Sequence, residues 1–332
     1  AGDECLVSCG GNDKCVMQWK HIMTESTSGG EDKDKEAAAG IFDDSMTEDL
    51  MLAKPTGGDE SGAVKPWLGA VRTPKVAPVI DSSEPAVSVK LEWVHGYTSG
   101  SSCNTRISKN LWYASDGNPV YPAAALGVKL IKDDQGGQKR QMFFRGHNDD
   151  VLCLAVSADR RFVATGQVAN TTSHGKGSIC IWDSRDCREL SRMDGCHQRA
   201  VTSLAFSPDG SQLISIGQDN KNTHKLWTDI GGNRCRVQCT ATAVSDQSTV
   251  FFSHWLKGSH ESDCALVSGG AKNINFWKLE GATLVKKQGR FGRKYKQCPL
   301  LCAANLQTTD EKGGSSRWCL TVGTSTGGLY SF

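Results

Sequence analysis

The chain has 332 residues, 38 basic against 36 acidic, for a formal net charge of +2. That length exceeds one small core and fits two domains or one large repeat array. The near-neutral balance excludes a whole-chain field for nucleic acid, and no apolar run approaches the roughly 20 residues that cross a bilayer. With no basic-then-apolar leader at its start, the chain reads as soluble and unsecreted.

The 14 cysteines are sparse for a disulfide scaffold of this length. No pair has CxxC spacing. The closest groupings, Cys5/Cys9, Cys235/Cys239 and Cys298/Cys302, are expected on strands as buried, reduced thiols that share a face. Neither a metal nor a cofactor is expected, and a reducing cytosol follows.

In chain order, "LVSCGGNDKCVMQWK" (6–20) carries a strand, a glycine turn, Asp13 and Trp19, the pattern that closes a β-blade. The chain is therefore expected to start inside a blade and to be an excerpt of a longer protein, with 1–20 the last blade portion of a preceding propeller module. Residues 21–85 read as a linker. Within it, 24–64 hold eleven acidic and three basic residues, too polar to offset ordering entropy. An acidic activation segment is the alternative there. From 65 the run "KPWLGAVRTPKVAPVIDSSEPA" is extended and proline-rich, anchored by Trp67 and Leu68.

The next stretch, "SVKLEWVHGYTSG" (88–100), opens a region taken as 86–145. Leu91, Trp93 and Val94 read as a buried strand, because a long exposed apolar patch would aggregate. Repeats begin at 146, and 146–332 is expected to hold blades that are incomplete at the C-terminus. "GHNDDVLCLAVSADRRFVATGQ" runs on to "SICIWDS", and "CHQRAVTSLAFSPDGSQLISIGQDN" to "HKLWTD"; looser units follow at 264–281 and 318–332. Each alternates apolar strands with polar or glycine turns and ends a strand on an aromatic. A spacing of about 45 residues between such strand ends is that of four-stranded propeller blades. The fold class is all-β.

These units resemble the WD-repeat family. In the second, His197, Ser215, Asp219 and Trp227 match its structural tetrad, a hydrogen-bond chain in which Asp and Ser orient the His against the Trp indole. The first keeps His147, Thr165 and Trp182 but has the insertion "VANTTSHGKGS" in place of the Asp. The third keeps Ser268 and Trp277 and has Lys272 at the Asp position.

The order "VKLEWVHGY", "VYPAAALGV", "GHNDDV", "ATGQVA", "RAVTSLAFS", "FWKLEGATLVKKQG" over 65–332 resembles the echinoderm microtubule-associated protein family, whose HELP motif matches Leu91, Glu92, Trp93, Val94, His95, Gly96 and Tyr97. The resemblance implies a tandem atypical propeller with HELP built into its junction. It also implies a non-enzymatic protein that binds tubulin and microtubules in the cytoplasmic cytoskeleton, including the ciliary or flagellar axoneme with its other proteins. No membrane or nucleic-acid partner follows. A generic WD-repeat scaffold without tubulin contact is the alternative.

No catalytic constellation is present: no P-loop, H-E-x-x-H or G-x-S-x-G. The histidines read as tetrad members, HELP residues or loops, and His254, His260, Asp263 and Cys264 as a polar loop in preference to a metal site. The strongest local charge is "VKKQGRFGRKYKQ", with Lys286, Lys287, Arg290, Arg293, Lys294 and Lys296. It is either a solvated loop or a contact for the acidic tubulin surface that the resemblance implies. Phe291 and Tyr295 either bury against the propeller or stack on a partner. Loops at 169–178 and 306–316 are the secondary contact candidates.

Overall fold

The computed structural model describes residues 5–9, 15–23, 87–98, 110–132, 139–169, 175–230, 236–257, 264–292, 297–309 and 316–332. The acidic segment 24–64, the proline-rich run with Trp67 and Leu68, Asp13, His260, Asp263, Arg293, Lys294, Tyr295 and Lys296 lie outside them. The chain divides into two compact units, 1–20 with 90–332, and 21–89. Of the second only strand ends are described, where Ser88 Oγ donates to the Ile22 carbonyl at 3.4 Å.

All regular structure among the described residues is β. The first sheet holds β1 (Cys5–Cys9), β2 (Val16–Met23) and β3 (Val87–His95), in that order. The second holds β4 (Trp112–Tyr113), β5 (Pro119–Ala123), β6 (Leu126–Ile131) and β7 (Arg140–Phe144). The third holds β8 (Val151–Val156), β9 (Phe162–Gln167), β10 (Lys176–Asp183) and β11 (Glu189–Gln198). The fourth holds β12 (Val201–Phe206), β13 (Leu213–Gly217), β14 (His224–Thr228) and β15 (Gln238–Ala243), and the fifth β16 (Val250–Trp255), β17 (Leu266–Gly270), β18 (Ile274–Glu280) and β19 (Thr283–Gln288). The sixth holds β20 (Leu300–Thr309), β21 (Ser316–Thr324) and β22 (Leu329–Ser331). In each sheet, strands consecutive in sequence are neighbours, the up-and-down order of a propeller blade.

Short β-branched and apolar runs between Asp, Gly and Ser turns make these strands. The turn "SPDG" shows how: Ser207 Oγ donates to Asp209 Oδ1 (2.5 Å) and accepts from the Gln212 N–H (2.9 Å), and Gly210 takes φ 75°. The strand β8 is buried along its whole length, and β9 and β10 nearly so.

Apolar clusters join each sheet to the next. Leu91 and Val94 of β3 pack with Ala123, Leu126 and Val128. Val120 and Phe144 pack with Leu154, Val163 and Trp182, whose indole stacks on Phe144 at 5.1 Å. Ile179, Ile181 and Cys196 meet Val201, Leu204 and Trp227; Ile214 and Leu226 meet Trp255, Leu266 and Trp277; Phe252 and Val267 meet Leu300, Leu320 and Val322. The inner sheets pack between two neighbours, the layering that stabilises blades that are marginal alone. These are β-propeller blades.

Several expectations are corrected here. Cys5, Cys9, Cys239 and Cys302 are exposed: β1 is exposed along its whole length, Cys239 lies on the largely exposed β15, and Cys298, half-buried, precedes β20 and does not share a strand with Cys302. The buried thiols are instead Cys15, Cys153, Cys180, Cys187 and Cys196. The segment 306–316 is not a loop at either end: Leu306–Thr309 extend β20 and pair with Ser316–Cys319 of β21. His254 is a strand residue of β16, and His224 is buried in β14 against Trp277 with ring centroids 4.4 Å apart.

Candidate functional site

In the second repeat unit, Trp227 on β14 donates its indole N–H to Ser215 Oγ (2.8 Å), and the same oxygen lies 2.7 Å from His197 Nε2. His197 belongs to β11 of the preceding sheet, so this chain of bonds crosses between sheets. Asp219 does something different from orienting the imidazole: its carboxylate accepts the backbone N–H of Lys221 (3.0 Å) and Thr223 (3.1 Å), fixing the turn. His197 Nδ1 has no hydrogen-bond partner among the described residues. The ring sits over Gly217, where a Cβ would approach Nδ1 to 2.5 Å, so only glycine fits.

In the first unit, Trp182 donates to Thr165 Oγ1 (3.2 Å), which contacts His147 Nε2 (2.7 Å). There the position opposite Nδ1 is filled by Gln167 Oε1 at 2.7 Å. Gln167 stands in "ATGQVA", but a search for Asp passes over it. In the third, Trp277 donates to Ser268 Oγ (2.8 Å) while His224 packs against the Trp277 ring, and Lys272 is exposed. Burial leaves these imidazoles neutral: His147 is lowered to about 4, His197 to about 3 and His224 to about 4. Burial also pushes the Cys180 and Cys196 thiols up to about 12, so they are packing groups and not nucleophiles.

The HELP residues lie on and just beyond β3. Leu91 and Val94 are buried, Glu92, His95 and Tyr97 exposed. Trp93, expected in the core, is only half-buried. Gly96 is pressed against Cys15, whose Sγ would lie 2.4 Å from a Cβ. Tyr97 donates its hydroxyl to Asn110 Oδ1 at 2.5 Å. The amide of Gln141 on β7 satisfies both backbone groups of Val94, accepting its N–H (2.7 Å) and donating to its carbonyl (3.0 Å). Beside this contact runs an open groove of about 810 Å³, bordered by Lys20, Lys90, Trp93, His95, Lys139 and Arg140.

The basic stretch occupies the edge strand β19 and the chain after it. Lys286 is not free to meet a partner: its Nζ pairs with Asp246 Oδ1 at 2.8 Å, and Asp246 also accepts from Asn273 and Asn275 (both 2.9 Å). Lys287 and Arg290 are exposed and lie in no ion pair among the described residues. They border a groove of about 660 Å³ with Phe276 and Phe332. Phe291 packs edge-on against Tyr330 and Phe332, with ring centroids 6.1 and 6.2 Å away. Arg293, Lys294 and Lys296 are outside the described residues, as are 170–174 of the first candidate loop.

No group of three metal-ligating side chains occurs among the described residues. Among those residues no helix is long and apolar enough to cross a membrane.

Two family models match. One, described as "Echinoderm microtubule-associated protein first beta-propeller", covers residues 140–324, more than half of the chain; the other, the HELP motif, covers 84–128. Among curated relatives, human echinoderm microtubule-associated protein-like 2 is 32% identical over 274 residues, 77% of this chain and 39% of that protein. Rat echinoderm microtubule-associated protein-like 1 is 34% identical over 280 residues, 79% of this chain and 32% of the relative. The Xenopus tropicalis echinoderm microtubule-associated protein-like 4 is 30% identical over 247 residues, 73% and 25% respectively. The chain thus spans well under half the length of the relatives it matches. With the β3 segment and the Trp182, Trp227 and Trp277 bonds inside the matched regions, the chain belongs to the echinoderm microtubule-associated protein family.

Proposed function

We propose that the chain is a non-enzymatic propeller segment of a microtubule-associated protein of the cytoplasmic cytoskeleton, which docks on the acidic microtubule surface through the basic edge at β19. Lys287 and Arg290 are the described contacts, continued by Arg293, Lys294 and Lys296. Lys286 is left out, since Asp246 already holds it. The observation that carries the reading is this exposed cationic edge in a chain whose relatives are named for microtubule association. Attraction of this kind is modest and salt-sensitive, and linked modules raise it through effective concentration.

Co-sedimentation with stabilised microtubules across a salt series tests it, with Lys287→Glu/Arg290→Glu as the variant. Pelleting that weakens with salt and by about fivefold or more in the variant supports docking at this edge. Pelleting untouched by the variant moves the contact elsewhere, and none at low salt favours an indirect scaffold.

A further inference from the structure

The groove beside β3 is assembled from three segments far apart in sequence: the middle of β2, the strand β3 and the start of β7. Lys20, Lys90, Lys139 and Arg140 are all exposed on it, and none lies in an ion pair among the described residues. Glu92, the one carboxylate among the described residues that line the groove, is engaged by Gln18 Nε2 at 2.8 Å. The aromatic face of Trp93, tilted against His95 with centroids 6.0 Å apart, contributes the apolar part of the wall.

Charge and shape together restrict the occupant. From Lys90 to His95 the β3 wall of the groove is roughly 17 Å long at about 3.3 Å per residue, and the cations that border it come from β2, β3 and the start of β7. A small anion would use one or two of them, whereas an extended peptide of about five residues runs the length. A nucleic acid draws on a broad basic field, and the whole chain carries only +2. We propose that this groove docks an extended, glutamate-rich peptide segment of a partner protein, with the lysines and arginine pairing its carboxylates and Trp93 packing on its backbone or side-chain methylenes. This surface is separate from the β19 edge, and its test distinguishes the two.

Fluorescence anisotropy of a labelled poly-glutamate peptide titrated with the full chain at low ionic strength is the experiment. Lys90→Glu/Arg140→Glu is expected to weaken binding by about tenfold or more, while Lys287→Glu/Arg290→Glu changes it by less than about twofold. In parallel, peptide addition is expected to change the tryptophan emission of the chain, and Trp93→Phe to abolish that change. No peptide binding at low salt, unaltered affinity in the β3 variant, or an equal loss in the β19 variant would overturn the proposal. Tighter binding of a double-stranded oligonucleotide than of the peptide at equal charge would overturn the assignment of a peptide.

Discussion

Trp19 donates its indole N–H to Ser8 Oγ at 2.9 Å across the β1–β2 pair, the same bond that Trp227 makes to Ser215 and Trp277 to Ser268, both at 2.8 Å. Trp182 makes it to Thr165 at 3.2 Å. The hydroxyl–indole bond thus recurs where a His bonds the same hydroxyl, as at Ser215 and Thr165, and also at Ser8 and Ser268. It ties a Trp of one strand to a hydroxyl of the neighbouring strand, and at His197 the imidazole adds a link to the sheet before.

Ser215 therefore carries two buried partners at once. Ser215→Ala leaves the Trp227 N–H and His197 Nε2 unpaired, at about 1–3 kcal/mol for each orphaned group. Ser215→Thr keeps the oxygen, as Thr165 does one sheet earlier, and is expected to lie much closer to the parent. Urea midpoints of the three proteins at unchanged m value check the order.

Gln167, the last residue of β9, is expected to behave as a structural partner of His147. Its amide accepts from or donates to His147, Asn148 and the Val168 carbonyl at 2.7, 2.7 and 3.2 Å. Gln167→Leu removes all three and is expected to destabilise by about 2–4 kcal/mol. Hydrogen exchange should show the loss first in β8–β10.

Acid should loosen the molecule early. His147, His197 and His224 are held neutral by burial, with values lowered from 6.5 to about 4, 3 and 4. Below about pH 6.5 the unfolded chain takes up protons that the folded chain refuses, so stability is present at neutral pH and falls as pH drops. Between about pH 7 and pH 5 each contributes roughly 1–2 kcal/mol of loss. Asp183, held down to about 2 first by its Arg185 hydrogen bond, works in a lower window: its stabilisation is complete above about 4 and vanishes toward 2. A denaturant midpoint that stays flat from pH 7 to pH 5 would contradict the buried neutral imidazoles.

Lys129 is 2% exposed, yet its ammonium donates to the carbonyls of Ser184 (2.7 Å) and Arg185 (3.2 Å) and pairs with Asp116 Oδ2 (2.6 Å). It joins β6 to the turn after β10 in the next sheet. Lys129→Met strands two carbonyls and is expected to cost about 2–4 kcal/mol, whereas Asp116→Asn, on a half-exposed side chain, costs less than about 1 kcal/mol. Thermal midpoints of the two variants should differ accordingly.

Much of the fold was legible because blade strands are short, locally paired and marked by turn residues. Trp182, Trp227 and Trp277 announce strand ends, and Ser215 and Ser268 lie at readable spacings before them. The sheet β4–β7 was hidden inside the HELP region because β4 has only two residues and Pro119 and Pro122 break its strand signal. Long-range partners were out of reach: Asp246 lies 40 residues before Lys286, and its ion pair is invisible to a reading of "VKKQGRFGRKYKQ" alone. The groove at β3 was hidden for the same reason, since Lys20, Lys90 and Arg140 meet only after three distant segments fold together. Alternation in "CLVSC" could not show that β1 is exposed along its whole length, Cys5 and Cys9 included.

Binding of the full chain to intact microtubules and to microtubules stripped of their acidic tails by limited proteolysis, compared at low salt, addresses the functional claim most directly. The expected result is saturable pelleting with intact polymer, weakened about threefold or more by tail removal and lost as salt shortens the screening length from about 30 Å toward about 8 Å. Absence of pelleting with either polymer at low salt would contradict direct docking.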